Sequence, residues 1–245
     1  LENRSLGIGE KTLGTEHSTA AETLTNLALL YQGQGRNAEA VPLFKRVLAS
    51  MEKALSPEHP STATSLNNLA LLYHSQGRYA EAEPLFKRAL AIREKKLGPE
   101  HPHIANTLNN LAGLYQDQGR YVEAEPLYQR ALAIFEKTLG PEHPSTANTL
   151  NNLAELYRSL GGYGEALGYS RRGTSIIRKR LLVTGARETE GLKSEKGQYR
   201  GYFQAHTDLA LHPSQDGDRP ALEGEAFEVM QLGRVSSTGN AIRRM

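Results

Sequence analysis

Apolar residues in the middle of this chain recur three and four positions apart and then stop, and the interruption itself recurs. Leu66, Leu69, Ala70 and Tyr73 share one face of a helix. Gln76-Gly77-Arg78 breaks that period, and a second stripe follows through Tyr79, Ala82, Leu85, Phe86, Ala89, Leu90 and Ile92. Gly98-Pro99 closes the second helix, with glycine just past the last turn and proline behind it. The pattern predicts a helix hairpin.

The hairpin is restated at a fixed interval. LNNLALLYHSQGRYAEAEPLFKRALAI from Leu66 becomes LNNLAGLYQDQGRYVEAEPLYQRALAI from Leu108, 42 residues on, and the same step leads back to Leu24 and forward to Leu150. A period of this size marks a stacked repeat protein, whose units cannot bury their apolar faces alone and close their cores against neighbours. Four hairpins over 18–183 therefore predict an all-α solenoid. Unit one covers about Ala21 to Leu55, units two and three about 63–97 and 105–139, and unit four starts at Ala147. Unit four keeps Leu150, Leu153, Ala154 and Tyr157, but Ser170 stands in the Phe86 column, Gly173 in the Ala89 column, and Gly164 and Gly168 intrude. Each interior glycine costs about 1 kcal/mol relative to alanine, so weaker order is expected there. Pro42, Pro84 and Pro126 lie about five residues past the Gly-Arg turn, which predicts a late helix start or a mild bend.

The pattern Leu66-x2-Leu69-Ala70-x2-Tyr73, then Ala82-x3-Phe86, resembles the tetratricopeptide repeat, with Leu66 where tryptophan is common and Ala70 where glycine is common. The 42-residue period exceeds the usual 34 of that repeat. Its Leu-Asn-Asn-Leu-Ala and Gly-Pro-Glu-His-Pro segments are similar to the repeats of kinesin light chains and their prokaryotic relatives. The resemblance implies a right-handed superhelix of helix hairpins whose first helices line a concave, partner-binding groove. It implies little about which partner is bound.

Outside the four hairpins the chain changes. Glu10-Lys11-Thr12-Leu13-Gly14 and Glu16-His17 align with Glu136–Gly140 and Glu142-His143, so residues 1–17 read as the end of a preceding, truncated repeat in a longer array. Residues 184–197, rich in Gly, Glu, Lys and Ser, read as a linker. Residues 198–245 read as a helical tail, with Tyr199, Tyr202, Phe203, His206, Leu209 and Ala210 on one helix and Leu222, Ala226, Phe227 and Met230 on a second that starts near Pro220. The segment Gly224–Leu232, with Ser236-Ser237-Thr238 and Ala241–Met245, resembles more loosely the connector after tetratricopeptide arrays in bacterial proteins that end in a caspase-like (CHAT) peptidase domain. That resemblance implies a second reading, the sensor and connector of a peptidase system whose catalytic domain is absent from this chain.

Composition narrows the chemistry. The 245 residues hold no cysteine, which removes disulfides and thiolate sites and agrees with a cytoplasmic location. No run of about 18 apolar residues is present and the start of the chain has no signal pattern, so no membrane association is expected. A net charge of +2 gives no general pull toward nucleic acid. The basic run Arg171, Arg172, Arg178, Lys179 and Arg180 reads as a solvated helix face. The pairs Glu16-His17, Glu58-His59, Glu100-His101 and Glu142-His143 stand a hairpin apart and read as structural linkers, without a metal or other cofactor.

The first-helix face turned away from the core carries the candidate site. One column reads Asn26, Asn68, Asn110 and Asn152, and its neighbour Thr25, Asn67, Asn109 and Asn151. Thr64, Asn106 and Asn148 form a third, and Leu71 and Arg158 lie on the same side. Asparagine is a poor helix former, so a repeated pair in successive helices needs a compensating role. Carboxamides can pair with the backbone of an extended peptide; alternatively one per unit bonds to the adjacent repeat and holds the stack in register. Lysine and arginine are scarce in these columns, which argues against a clamp for carboxylate tails, and Gly113 opens a gap in the wall. No catalytic constellation stands out. The expected function is to hold a protein or peptide, with no small-molecule substrate and with self-association through exposed repeat ends as a further option.

Overall fold

The computed structural model describes residues 21–184, 190–213 and 219–235. The expected truncated repeat at 1–17 and the connector-like residues 236–245 lie outside them. A helix α1 over 21–33 is followed by α2 (Asn37–Ala54), α3 (Pro60–Ser75), α4 (Tyr79–Leu97), α5 (Pro102–Asp117), α6 (Tyr121–Thr138), α7 (Pro144–Ser159), α8 (Tyr163–Thr184), α9 (Glu190–Ala210) and α10 (Arg219–Val235). Among the described residues there is no strand. The chain divides into two compact units, one ending at Gln118 and the other starting at Gly119.

The first helix of a hairpin starts where the linker dictates. His59, His101 and His143 sit in extended backbone ahead of Pro60, Pro102 and Pro144. Each imidazole Nδ1 accepts the backbone N–H two residues on, from Ser61 at 3.1 Å, His103 at 3.2 Å and Ser145 at 3.1 Å. The histidine side chain thus serves as an N-cap and proline fills the position whose N–H would be unpaired anyway. The Glu-His-Pro linker is a helix-start signal.

The second helix starts on a different device. Gly35, Gly77 and Gly119 adopt φ near +70° (74°, 70° and 72°), a conformation that a side chain would resist. The Arg78 N–H then reaches the Tyr73 carbonyl at 2.9 Å. Its guanidinium lies 4.2 Å from the centre of the Tyr73 ring and pairs with Glu81 in the first helical turn. Arg36 repeats the arrangement on Tyr31 and Glu39.

The prolines do not delay the second helices. α2, α4 and α6 begin at Asn37, Tyr79 and Tyr121 and contain Pro42, Pro84 and Pro126 in their interiors. The carbonyls left without a donor belong to Ala38, Ala80 and Val122, all exposed, so water can satisfy them.

In the unit ending at Gln118, Ala63 and Leu66 of α3 pack on Ala89 and Ile92 of α4, with Leu48 and Leu85 at the margin. Phe44 and Phe86 are fully buried. In the unit starting at Gly119, Ala154, Ala166 and Leu167 share a core with Leu209, Ala210, Leu222 and Ala226. The tail is a further helix hairpin, α9 and α10, packed on α8.

Three expectations are corrected. α8 is a continuous helix of 22 residues despite its glycines. Added bulk at Gly173 would sit 3.4 Å from the Ala147 carbonyl oxygen, so this glycine permits close approach of α7. The stretch expected as a linker is helical from Glu190, since its Glu, Leu and Lys residues are good helix formers; residues 185–189 lie outside the described part. In α10 the buried face is Leu222, Ala226 and Val229, whereas Phe227 is 61% exposed and Met230 is exposed.

Candidate functional site

The three Asn-bearing columns separate once neighbouring hairpins are in place. Asn67 is buried and its side-chain oxygen accepts the Asn110 amide at 3.1 Å, so this pair joins α3 to α5. The equivalent bond from Asn68 would meet Thr25, but the Thr25 hydroxyl donates at 2.7 Å to the Ala21 carbonyl. Asn68 remains half-buried with no side-chain hydrogen bond among the described residues. Asn26 and Asn106 are exposed and Leu71 is half-buried. Asn109, Asn151 and Asn152 are half-buried.

Asn26 lines a cavity of about 430 Å³ formed by α1, α2 and α3. Val47, Met51, Ala54 and Leu55 provide apolar wall, and Thr25, Asn26, Ser61, Thr64 and Ser65 bring amide and hydroxyl groups to it. Its size and its mixture of apolar surface with a few polar groups suit a peptide side chain and its backbone.

The unit starting at Gly119 engages its own candidates differently. The Tyr202 hydroxyl donates to the Asn148 side-chain oxygen, and burial pushes the Tyr202 phenol up to about 12. Arg158 forms an ion pair with Glu155 at 2.6 Å. The basic run is also paired: Arg171 with Glu225, Arg172 with Glu136, Arg178 with Glu228 at 3.6 Å and Lys179 with Glu142.

Several groups escaped the sequence reading. Tyr115 donates to Glu83 at 3.0 Å, and 42 residues on Tyr157 donates to Glu125 at 2.6 Å. That carboxylate holds the Tyr157 phenol up at about 12. Both pairs tie the first helix of one repeat to the second helix of the repeat before it. His74 meets Asp117 at 2.7 Å, linking the ends of α3 and α5.

In the tail, buried His206 lies 2.8 Å from the Thr174 hydroxyl through Nδ1 and 2.8 Å from Glu225 through Nε2. Arg171 keeps Glu225 below the usual carboxylate range, and burial lowers His206. With Glu225 ionised, Nε2 carries the imidazole proton and Nδ1 accepts from Thr174. Thr174 is itself buried within α8, so this relay fastens the tail hairpin to α8.

Arg93 is the other surprise. Its column otherwise holds Met51, Phe135 and Ile177, and that break in an apolar column was the available signal. The side chain is 4% exposed.

Comparison with known proteins agrees with this architecture. The Tetratricopeptide repeat family matches residues 3–53, 19–95 and 103–179. The chain belongs to the tetratricopeptide repeat family, and its 42-residue units are of the kinesin-light-chain-like type. A Podosopora anserina protein, described as kinesin-light-chain-type with nearly identical TPR-like repeats, is 27% identical with a TM-score of 0.65, over 90% of this chain and 96% of that one. BtubC (BKLC) from P. vanneervenii is 20% identical with a TM-score of 0.70, over 95% and 92%. A Rap protein complexed with Competence and Sporulation Factor is 17% identical with a TM-score of 0.64, over 89% of this chain and 54% of that one. No match was found among curated proteins. Among the described residues no helix is long and apolar enough to cross a membrane.

Proposed function

We propose that this chain is a protein-interaction module that holds an extended peptide of a partner protein against the first helices of its repeats, without catalysis. The observation that carries the reading is the cavity beside Asn26, together with the unbonded Asn68 amide on the next first helix. A carboxamide can donate to a peptide carbonyl and accept from a peptide N–H, which fixes a backbone without demanding particular side chains. Apolar wall at Val47, Met51 and Leu55 adds contact area for one inserted side chain. The Rap protein that shares the fold was crystallised with Competence and Sporulation Factor, which supports a binding role for such arrays.

The test is fluorescence anisotropy with a synthetic library of randomised decapeptides, followed by the selected peptide on an Asn26→Ala/Asn68→Ala variant. Binding should weaken by about 1–3 kcal/mol at unchanged ellipticity. Unchanged affinity removes these amides from the site.

A further inference from the structure

One gap between successive first helices is closed, and the gap before it is open. Between α3 and α5, Asn67 and Asn110 bridge the two helices, and the buried Arg93 side chain reaches in from α4 to touch both. Its Nη1 donates to the His103 carbonyl at 2.9 Å and to the Thr107 hydroxyl, both on α5, and its Nη2 donates to the Thr64 hydroxyl of α3 at 3.3 Å. This gap holds a guanidinium among neutral oxygens.

The cavity of about 430 Å³ formed by α1, α2 and α3 is the same place one repeat earlier. Met51, Ser61, Ser65 and Glu22 of its lining stand 42 residues before Arg93, His103, Thr107 and Thr64. The acceptors are kept. The Ser65 hydroxyl donates to the Ser61 carbonyl at 3.3 Å, as the Thr107 hydroxyl donates to the His103 carbonyl at 3.0 Å. With its proton spent inside the helix, the Ser65 hydroxyl has lone pairs to offer, and the Ser61 carbonyl keeps a second one. What changes is the cation, because Met51 brings no donor. The bridge changes too: Thr25 stands in the Asn67 column and spends its hydroxyl on the Ala21 carbonyl, so nothing of the Asn67–Asn110 kind closes the gap. In the place of Thr64 stands Glu22, the charged residue of the lining, which is exposed and has no ion pair among the described residues. Ser61 and Asn26 are exposed beside it, so the cavity opens to solvent along that edge.

We propose that this cavity takes an arginine side chain of the bound peptide, with its guanidinium in the place that Arg93 fills one repeat further on. The proposal rests on the peptide-binding reading and names the side chain inserted there. One edge of the guanidinium donates to the Ser61 carbonyl and the Ser65 hydroxyl of α3. The other edge meets Glu22 of α1, a carboxylate where Arg93 has only the Thr64 hydroxyl, and so gains a charge-assisted bond. The aliphatic stem lies against Val47 and Met51. A lysine ammonium is a point charge without the planar fork and spans the two helices less well.

The test passes a library of randomised decapeptides over the immobilised intact chain and over two variants whose ellipticity matches the parent. Glu22→Gln removes the carboxylate at an exposed position. Met51→Arg supplies from within the residue that the next repeat uses, and competes with the ligand for the same oxygens. Peptides captured by the parent should be enriched in arginine on the order of tenfold at one position, above lysine. That enrichment should fall several-fold in Glu22→Gln and vanish in Met51→Arg. Peptide capture with no arginine preference, an equal preference for lysine, or an arginine preference that persists unchanged in either variant overturns the arginine site and leaves the peptide-binding reading standing. Capture of no peptide by the parent chain overturns both.

Discussion

The Asn110 amide donates to the Asn67 side-chain oxygen at 3.1 Å, joining the first helices of two successive repeats. One residue away along α3, Asn68 has no such partner among the described residues. Two adjacent asparagines of the same repeated motif are therefore bonded differently.

Substitution separates the two. Asn110→Ala leaves the buried Asn67 oxygen without its donor and should destabilise by about 1–3 kcal/mol, whereas Asn68→Ala should stay within about 0.5 kcal/mol. Urea denaturation followed by circular dichroism checks both, and equal losses would mean that Asn68 is also structural.

The tail hairpin should respond to acid. His206 has a folded pKa below its ordinary value near 6.5, so the folded state binds fewer protons than the unfolded state as pH falls through that value. Its contribution is complete above about pH 6.5 and is lost toward lower pH. Glu225, whose pKa is also lowered, adds a loss that begins only below the ordinary carboxylate value near 4.3. Melting temperature should therefore drop between pH 7 and pH 5, and His206→Gln should flatten that slope relative to the parent. Parallel slopes for parent and variant would remove His206 as the cause.

Ser170 is buried in a column that holds Phe44, Phe86 and Tyr128, and its hydroxyl has no hydrogen-bond partner among the described residues. Ser170→Ala removes an unsatisfied polar group at almost no change in volume and should stabilise the chain by about 1 kcal/mol. Calorimetry showing a loss instead would place a partner on that hydroxyl.

The helix caps give a further handle on stability. His101→Ala deletes the Nδ1 acceptor of the His103 N–H and should cost about 0.5–2 kcal/mol, measured by denaturant unfolding. No loss would mean that Pro102 alone sets the helix start.

The hairpins were legible because a period repeated four times carries its own check, and the turn residues Gly77 and Arg78 recur in register with it. The division between Asn67 and Asn68 was not legible. One helical position rotates a side chain by only about 100°, so which asparagine meets the next hairpin depends on how the hairpins stack. Arg93 was hidden because it sits on a stripe read as apolar, where a long aliphatic stem can replace Met51 or Phe135. In α10, Leu222 and Ala226 allow either Phe227 or Val229 as the next buried residue, and the packing of α9 selects Val229. The residues after Glu190 combine glycine with good helix formers, so a reading weighted to the glycines pointed to a linker where the chain is helical.

The most direct measurement is the side-chain amide spectrum of the 15N-labelled chain during titration with a library-selected peptide. The signals of Asn26 and Asn68 should shift in a saturable way while that of Asn110 holds its position. Saturable binding that leaves Asn26 and Asn68 unmoved would contradict the claim that the first-helix amides grip the bound chain.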